Sequence, residues 1–165
     1  MNRLPGLFLA LLLLAVPFMA RGGTPSLAES WNGAEIEWRD IRSGIYASAT
    51  SGRPVIMVFH APWCSAYKKY RSVFYDKDIV AASKDFVMIL IDGDADKTSN
   101  GAFAPDGTYV PRTIFLDSDG NVQSHLIGTG DPKFPHSIDL NGPGELLSLM
   151  KKARETMKGF APAET

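Results

Sequence analysis

The amino-acid sequence predicts an α/β fold in which helices cover both faces of one mixed sheet. Two short and continuous apolar runs, at residues 54–59 and 86–91, are typical of strands that are buried on both faces. Segments with helical apolar spacing stand before, between and after these runs, as in a sheet that is covered by helices. The length of 165 residues and the hydrophobic content of 45% fit one globular domain.

The first predicted elements are a helix, a strand and a second helix. Four apolar residues recur at helical spacing between residues 38 and 50, namely Trp38, Ile41, Ile45 and Ala49. They predict an amphipathic helix over 38–50 that ends at Gly52. The next apolar run predicts a strand over 54–60, after which Pro62 is placed to open a helix over 64–82. One apolar face of this second helix carries Tyr67, Tyr70 and Phe74.

Three strands and a closing helix are predicted in the second half of the chain. The strands are expected at 86–92, 112–117 and 122–127, and long loops at 92–109 and 128–144. The strand 86–92 should be parallel to 54–60 because a helix joins them, and the tight turn between the last two strands predicts an antiparallel hairpin. Apolar spacing from Leu146 to Met157 predicts the closing helix, with Gly159 as its cap.

The amino-terminal residues have the order of a secretory signal peptide. Arg3 gives a positive flank, residues 4–18 are almost wholly apolar, and small or polar residues follow. The favoured cleavage site is Ser26-Leu27-Ala28, and Phe18-Met19-Ala20 is a poorer alternative because Phe18 is bulky. An uncleaved membrane anchor is the other interpretation, but the apolar run is shorter than the roughly 20 residues that a span requires.

The expected division of the chain is a signal peptide over 1–28, one α/β domain over 29–159 and a flexible tail over 160–165. No stable membrane span is expected after removal of the signal. Among exported locations the periplasm is favoured, since the chain ends without a retention signal and has no N-x-S/T sequon. The extracellular space and the endoplasmic reticulum are the alternatives. The formal charge of −1 gives no basic surplus, so no nucleic-acid partner is expected.

Cys64 is the single cysteine, and it lies where the strand 54–60 leads into the next helix. The free N–H groups and the dipole at the start of a helix favour a thiolate, and this corner should leave the sulfur at least partly exposed. One cysteine excludes an intramolecular disulfide and a four-cysteine zinc site. The sequence shows no three-ligand metal set, so neither a metal nor another cofactor is expected.

Two segments carry a resemblance to a known family. Residues 53–69, RPVIMVFHAPWCSAYKK, look like the active-site segment of thioredoxin-like proteins. Residues 103–117, FAPDGTYVPRTIFLD, are similar to the anterior-gradient group of small endoplasmic-reticulum thioredoxin-domain proteins; bacterial homologues share the first segment more than the second. The resemblance covers about residues 35–158. It implies a thioredoxin-like three-layer α/β/α sandwich with a mixed central sheet.

The resemblance implies roles for four residues. Cys64 matches the nucleophilic first cysteine of the family's C-x-x-C motif, and Trp63 matches the tryptophan that usually precedes it. Pro111 matches the proline whose peptide bond is cis, in the loop that faces the nucleophile. The backbone of Val110 is the place where the family docks an extended substrate chain beside the sulfur.

Two family residues are missing from this chain. Tyr67 replaces the second cysteine, so that the motif becomes C-x-x-Y, and Val58 stands where some thioredoxins hold a buried acid. In two-cysteine enzymes the second thiol releases the mixed disulfide, which Tyr67 cannot do. The sequence therefore excludes turnover as a two-cysteine oxidoreductase. It predicts mixed disulfides that an outside thiol must resolve, in disulfide exchange, isomerisation or client retention.

Several residues have two interpretations. Cys64 is either a reactive thiol, which we favour, or a relic. Tyr67 is either a functional replacement or a packing residue, and its place on the apolar helix face favours packing. His60 is either a general base or a strand-end residue, and the second is favoured because the resemblance assigns it no role. His125 and His136 are interpreted as a hairpin residue and a loop residue.

Two function classes follow from the sequence. The first is a thiol–disulfide exchange protein in cell redox homeostasis, whose partner is a cysteine-containing protein or a small thiol. The second is a non-catalytic binding module or chaperone that uses the cis-proline groove. They differ in whether Cys64→Ala changes what the protein does.

Overall fold

The structure is a computed structural model that describes residues 27–157. Most of the predicted signal peptide, together with the predicted tail and the predicted helix cap at Gly159, lies outside the described residues. The described helices are α1 (Leu27–Ser30), α2 (Ile41–Ser51), α3 (Ser65–Val73), α4 (Lys77–Ser83), α5 (Lys97–Ala102) and α6 (Gly144–Thr156). The described strands are β1 (Trp38–Arg39), β2 (Val55–His60), β3 (Val87–Asp92) and β4 (Arg112–Leu116). Within 27–157, none of the helices has the length and apolar character that a membrane crossing requires.

One mixed sheet of four strands, in the order β1-β3-β2-β4, organises the fold. β2 and β3 pair in parallel over six residue pairs. β4 runs antiparallel to β2, with Phe59 opposite Arg112, and the two-residue β1 pairs in parallel with β3. The predicted α/β class and the parallel pairing of the two apolar runs are confirmed.

Helices pack on both faces of this sheet and make three layers. Alternate residues of β2 enter opposite cores, as the pleat of a strand requires. One core takes Ile56 and Val58 together with residues of α3, α4 and α6. The other takes Val55, Met57 and Phe59 and packs against α2. All six residues of β2 are buried. Full burial of each aliphatic or aromatic side chain contributes about 1.5–3 kcal/mol, which makes β2 the centre of both cores.

The chain before the sheet departs from the predicted helix over 38–50. Trp38 lies in β1, where its backbone pairs with Met88, and α2 begins only at Ile41. Asp40 sets this boundary because its carboxylate accepts a hydrogen bond from the N–H of Ser43 at 2.9 Å, as an N-cap residue does. The prediction for Trp38 is wrong because pairing with the edge of the sheet holds that segment extended.

The predicted single helix over 64–82 is in fact two helices, α3 and α4. α3 ends at Val73 with Phe74 as its C-cap, and Asp76 caps α4, since its carboxylate accepts hydrogen bonds from two N–H groups of the first turn of α4. Pro62 does not open α3; it lies in the preceding turn, and α3 begins at Ser65 with Cys64 as its N-cap. The apolar spacing continues across the break, so the spacing alone could not reveal it.

A short helix, α5, lies within the predicted loop over 92–109. Asp96 caps it by accepting a hydrogen bond from the N–H of Ser99 at 2.9 Å. The loop prediction is wrong here because α5 consists of polar and small residues. Its capping residues, and not an apolar periodicity, define this helix.

The predicted strand over 122–127 is reduced to one antiparallel bridge between Leu116 and Val122. Two different segments share the outer edge of β4. The N–H of Gln123 donates to the carbonyl of Phe115 at 2.8 Å, whereas the N–H of Thr113 donates to the carbonyl of His136 at 2.8 Å. The loop over 128–144 therefore supplies part of the pairing that the hairpin prediction assigned to 122–127.

We expect opposite effects from alanine at two helical glycines. A Cβ atom at Gly44 in α2 would lie 2.4 Å from two side-chain atoms of the buried Ile89. Gly44→Ala should therefore lower the free energy of unfolding by about 1 kcal/mol, because overpacking outweighs the better helix propensity of alanine. A Cβ atom at Gly101 in α5 meets nothing within 4 Å. Gly101→Ala should raise the same quantity by about 0.5 kcal/mol.

Urea unfolding of the two variants measures both effects. A Gly44→Ala variant as stable as the wild type would contradict the close contact between α2 and β3.

Candidate functional site

Cys64 lies at the carboxyl end of β2, where a tight turn leads into α3. Its N–H donates to the carbonyl of Ala61 at 3.1 Å, and the residue is the N-cap of α3. Its thiol Sγ lies 3.6 Å from the carbonyl oxygen of Val110. Cys64 is buried, with only 9% of its surface exposed, whereas the sequence predicted at least partial exposure. The loop that carries Val110 accounts for the difference because it packs against the sulfur.

The loop facing Cys64 contains the bond between Val110 and Pro111, which is cis. Pro111 is buried and precedes the first residue of β4. β2 and β4 are antiparallel neighbours, so the end of β2 lies beside the start of β4. This pairing brings two residues together that are 46 positions apart in the chain. An extended chain bound along Val110 would lie against the sulfur of Cys64.

Trp63 is an exposed residue of the turn, with 71% of its surface accessible. Its indole N–H donates to the carboxylate of Asp94, which follows the end of β3. The hydrogen bond fixes the edge of the ring and leaves its faces open to a partner. Trp63 therefore offers a broad apolar surface directly beside Cys64.

Tyr67 lies one turn along α3 from Cys64, and its N–H donates to the Cys64 carbonyl at 3.1 Å. Its ring is partly buried and lies 5.9 Å from the His60 ring and 6.5 Å from the Trp31 ring, measured between centroids. The guanidinium carbon of Arg71 lies 5.7 Å from the centre of the Tyr67 ring. These contacts make Tyr67 part of the core cluster beneath the turn, in agreement with its interpretation as a packing residue.

His60 is the last residue of β2 and is almost completely buried, with 1% of its surface exposed. Within the described part of the chain, neither of its ring nitrogens has a hydrogen-bond partner. Its ring packs 5.3 Å from the Trp31 ring. Burial lowers the pKa of His60 below its usual value, and the charge of Asp92 opposes this only in part. His60 is therefore a neutral strand-end residue at neutral pH.

Arg112, the first residue of β4, is a functional candidate that the sequence reasoning did not single out. Its side chain is fully buried and donates to three backbone carbonyls, those of Asn100 at 2.7 Å and of Phe103 and Tyr109 at 3.1 Å each. Its guanidinium carbon lies 4.0 Å from the centre of the Phe59 ring. Burial lowers its pKa, but arginine stays charged at neutral pH. A lone arginine at the start of an apolar strand is the signal that could have identified it.

His136 connects the loop over 128–144 to the loop that precedes Pro111. It is buried, and its Nδ1 lies 2.9 Å from a carboxylate oxygen of Asp106. The hydroxyl of Tyr109 donates to the other oxygen of Asp106 and accepts a hydrogen bond from the His136 N–H at 2.8 Å. His136 lies in a loop, as predicted, but its burial was missed. His125, in contrast, is exposed beside Thr156.

The described residues hold no group of three or more His, Cys, Asp or Glu side chains that could bind a metal ion. Two aspartates near the site are used by the backbone instead. Asp92 accepts hydrogen bonds from two following N–H groups, and Asp96 caps α5. The groups that the described residues present at this site are the thiol of Cys64, the carbonyls of the loop and the exposed indole of Trp63.

A single thiol at the start of a helix, next to a cis X–Pro bond on a mixed sheet of this order, defines a thioredoxin-like protein. The Thioredoxin-like family model matches residues 37–118. The chain is 31% identical over 147 residues to anterior gradient protein 1 of Xenopus tropicalis, covering 87% of this chain and 75% of the relative. It is 26% identical over 137 residues to the human anterior gradient protein 2 homolog, covering 81% and 74%. The chain belongs to the thioredoxin-like family, with the anterior gradient proteins among its relatives.

Solved structures agree with this fold. A thioredoxin from Thermus thermophilus superposes with a TM-score of 0.55 at 17% identity, over 72% of this chain and 87% of that chain. The first thioredoxin domain of mouse protein disulfide-isomerase A4 gives a TM-score of 0.51 at 15% identity, over 78% and 81%. The predicted thioredoxin-like sandwich with its mixed sheet is confirmed.

We expect acid to destabilise the protein through His60. Because burial lowers the pKa of His60 in the folded state, the unfolded state binds more protons below about pH 6.5. The free energy of unfolding is therefore highest, as far as His60 determines it, above about pH 6.5, and it decreases as the pH falls below that value. The slope that one such proton contributes is at most about 1.4 kcal/mol per pH unit.

Urea unfolding of wild type and His60→Phe between pH 5 and pH 8 measures this slope. The difference between the two proteins should be nearly constant above pH 7 and should shift in favour of the variant towards pH 5. His125→Gln, at an exposed position, is the matched control and should follow the wild type. Parallel pH profiles for wild type and His60→Phe would show that His60 is protonated as easily in the folded state as in the unfolded state.

Proposed function

We propose that this protein is an exported thiol–disulfide exchange protein that uses the single thiol of Cys64. The observation that carries the proposal is the 3.6 Å contact between Cys64 Sγ and the carbonyl of Val110, in the loop with the cis bond to Pro111. A peptide that lies along this loop places its own sulfur next to Cys64. The partner class is a cysteine-containing protein or a small thiol, and no cofactor is needed.

The exchange step follows from the chemistry of one thiol. The Cys64 thiolate attacks one sulfur of a partner disulfide, so that a Cys64–partner S–S bond forms and the partner's S–S bond breaks. The other partner sulfur leaves as a thiolate and takes up a proton. One disulfide replaces another, and no net oxidation occurs. Tyr67, in the place of a second thiol, cannot attack the new bond, so an outside thiol must release the partner.

The low exposure of Cys64 restricts which partners can react. With 9% of the residue exposed and the thiol hydrogen-bonded to Val110, a partner disulfide must approach along the loop rather than from bulk solvent. The exposed ring of Trp63 lies on the same turn and can pack against that partner. Mixed-disulfide formation at this site should therefore be selective for extended chains.

A non-catalytic binding module or chaperone is the second candidate function. The burial of Cys64 beside the 71% exposed Trp63 favours it, because the indole and the loop could bind a peptide without any sulfur chemistry. Cys64→Ala separates the two functions. A binding module would retain its affinity for an unfolded client in the variant, whereas an exchange protein would lose covalent capture completely.

We infer export from the amino-terminal residues, with residues 1–28 as a signal peptide and the periplasm as the favoured compartment. The carbonyl of Ala28 accepts hydrogen bonds from the N–H groups of Trp31 and Gly33, at 2.9 Å each. Cleavage after Ala28 removes this acceptor, and cleavage after Ala20 keeps it. Amino-terminal sequencing of the exported protein distinguishes the two sites, and an intact amino terminus would indicate an uncleaved anchor.

The replacement of a resolving cysteine by Tyr67 gives a direct test. Wild-type protein mixed with a peptide disulfide should accumulate the Cys64 adduct and release it only when a small thiol is added. Tyr67→Cys places a second sulfur one helical turn from Cys64, at a spacing that a disulfide can bridge. We expect the variant to release bound peptide without added thiol at least about ten times faster than the wild type.

Two control variants make this result specific. Tyr67→Ala removes the ring from the core without adding a sulfur, and Tyr46→Cys adds a sulfur at an exposed position of α2. Neither should accelerate release. Intact-mass spectrometry at timed intervals follows all four proteins. Rapid release by the wild type without added thiol would disprove the single-thiol mechanism.

A further inference from the structure

We propose that Arg112 is a positioning residue that holds the Val110–Pro111 loop at its distance from Cys64, an inference that rests on the proposed function. Arg112 itself does not touch the sulfur in the described contacts; it acts through the backbone on either side. Its guanidinium joins the loop before Pro111, the end of α5 and the last residues of β2 into one unit.

The hydrogen bonds of Arg112 reach three points of one chain segment. They end on the carbonyls of Asn100 in α5, of Phe103 at its C-cap and of Tyr109, which directly precedes Val110. The segment between Phe103 and Tyr109 contains no helix or strand. The hydrogen bonds from Arg112 therefore hold its backbone in place, as the hydrogen bonds of a helix or a sheet do in regular structure. Because Arg112 holds the carbonyl of Tyr109, it also holds the next residue, Val110, in place.

The other side of Arg112 faces the strand that leads to Cys64. Phe59 is its direct partner in the antiparallel pairing of β2 and β4, and the guanidinium lies 4.0 Å above the Phe59 ring. A cation over the face of an aromatic ring is attracted to it, most strongly where water is excluded. Arg112 thus contacts the strand five residues before Cys64 and the loop that opposes it.

Only arginine fits this arrangement. Its planar fork presents five N–H donors in fixed directions, whereas lysine has a single charged head that cannot span three separated carbonyls. A buried cation is costly unless its donors are paired; both terminal nitrogens of Arg112 are paired, whereas its Nε has no partner among the described residues. Removal of the charge leaves the carbonyl oxygens of Asn100, Phe103 and Tyr109 with fewer donors. The loop then moves to find other partners, and its distance from Cys64 is lost.

Loss of Arg112 should change the rates of two reactions of the Cys64 thiol differently. Iodoacetamide needs only the sulfur, but a peptide disulfide needs the sulfur and the correctly placed loop. A misplacement of about 1 Å in a reacting geometry can cost up to about a hundredfold in rate. We therefore expect Arg112→Met to form the Cys64 adduct with an extended peptide–glutathione disulfide at least about ten times more slowly, while alkylation by iodoacetamide is unchanged or faster.

The full chain, purified after export, is used for the comparison. Arg112→Lys keeps the charge and reaches fewer carbonyls, so its rate with the peptide disulfide should lie between those of the wild type and Arg112→Met. Arg42→Met, at an exposed position of α2, is the matched control and should react like the wild type. Equal proportional losses in both reactions, or no loss in either, would overturn the positioning role. If Arg112→Met does not fold, Arg112→Lys decides the question by the same ratio.

Hydrogen exchange tests Arg112 without any reaction of the thiol. In Arg112→Lys and Arg112→Met, the amides of residues 104–110 should exchange faster than in the wild type, while those of the β2–β3 ladder keep their protection. Unchanged exchange over 104–110 would refute the role of Arg112. A wild-type protein that captures no peptide disulfide would refute the proposed function instead, and the exchange data would still decide whether Arg112 orders the loop.

Discussion

The antiparallel pairing of β2 with β4 is the constraint on which the site depends. It sets Phe59 opposite Arg112, so that the chain leaving β2 and the chain arriving at β4 meet at one edge of the sheet. Cys64 follows the first strand and Pro111 precedes the second, which places the thiol against the Val110 carbonyl. A slip of one residue would turn every side chain of β4 to the opposite core. Burial of the apolar residues of β2 and β4 therefore fixes the geometry of the site as well as the stability of the fold.

The aromatic cluster beneath the turn shows what replaced the second thiol. Tyr67 packs towards Trp31 and His60, in a region where a resolving cysteine would leave space unfilled. The aromatic rings fill the space beneath the turn, and the site has no second thiol that could release a bound partner. His60 contributes a neutral ring to the same aromatic cluster, because its burial disfavours the charged form. Tyr67 thus fills a packing position beneath the turn and supplies no second thiol.

The central strands could be predicted because their continuous apolar runs have few alternatives, and their parallel order followed from the helices between them. Three helix predictions were wrong where a polar group at a helix end overrides apolar periodicity: Asp40 is the N-cap of α2, Asp76 is the N-cap of α4 within the predicted helix over 64–82, and Asp96 is the N-cap of α5. These N-cap residues can be found in the sequence. The sequence does not show whether the cap or the apolar spacing determines where the helix begins. Cys64 was predicted from its place between a strand and a helix as well as from the resemblance, and the loop with Pro111 was predicted to face it from the resemblance alone. The strand pairing gives the physical reason for their 3.6 Å contact at Val110.

The hydrogen-bond partners of Arg112 and His136 could not be predicted from the sequence, because they are backbone carbonyls and a carboxylate in loops without a periodic pattern. Arg112 finds carbonyls between 3 and 12 positions away, and His136 finds Asp106 across 30 positions. No periodic pattern encodes such contacts. They show that the loops around the site are ordered by polar groups, while the sheet beneath them is ordered by apolar burial.

We propose that Cys64 holds partners as mixed disulfides that the chain itself cannot resolve. Isolation of the exported protein from its native compartment, with all thiols alkylated at the moment of lysis, tests this by intact mass and peptide mapping. We expect a population in which Cys64 carries a thiol-containing partner that a reductant removes, and no such population in Cys64→Ala. Recovery of Cys64 entirely as the alkylated free thiol would contradict it.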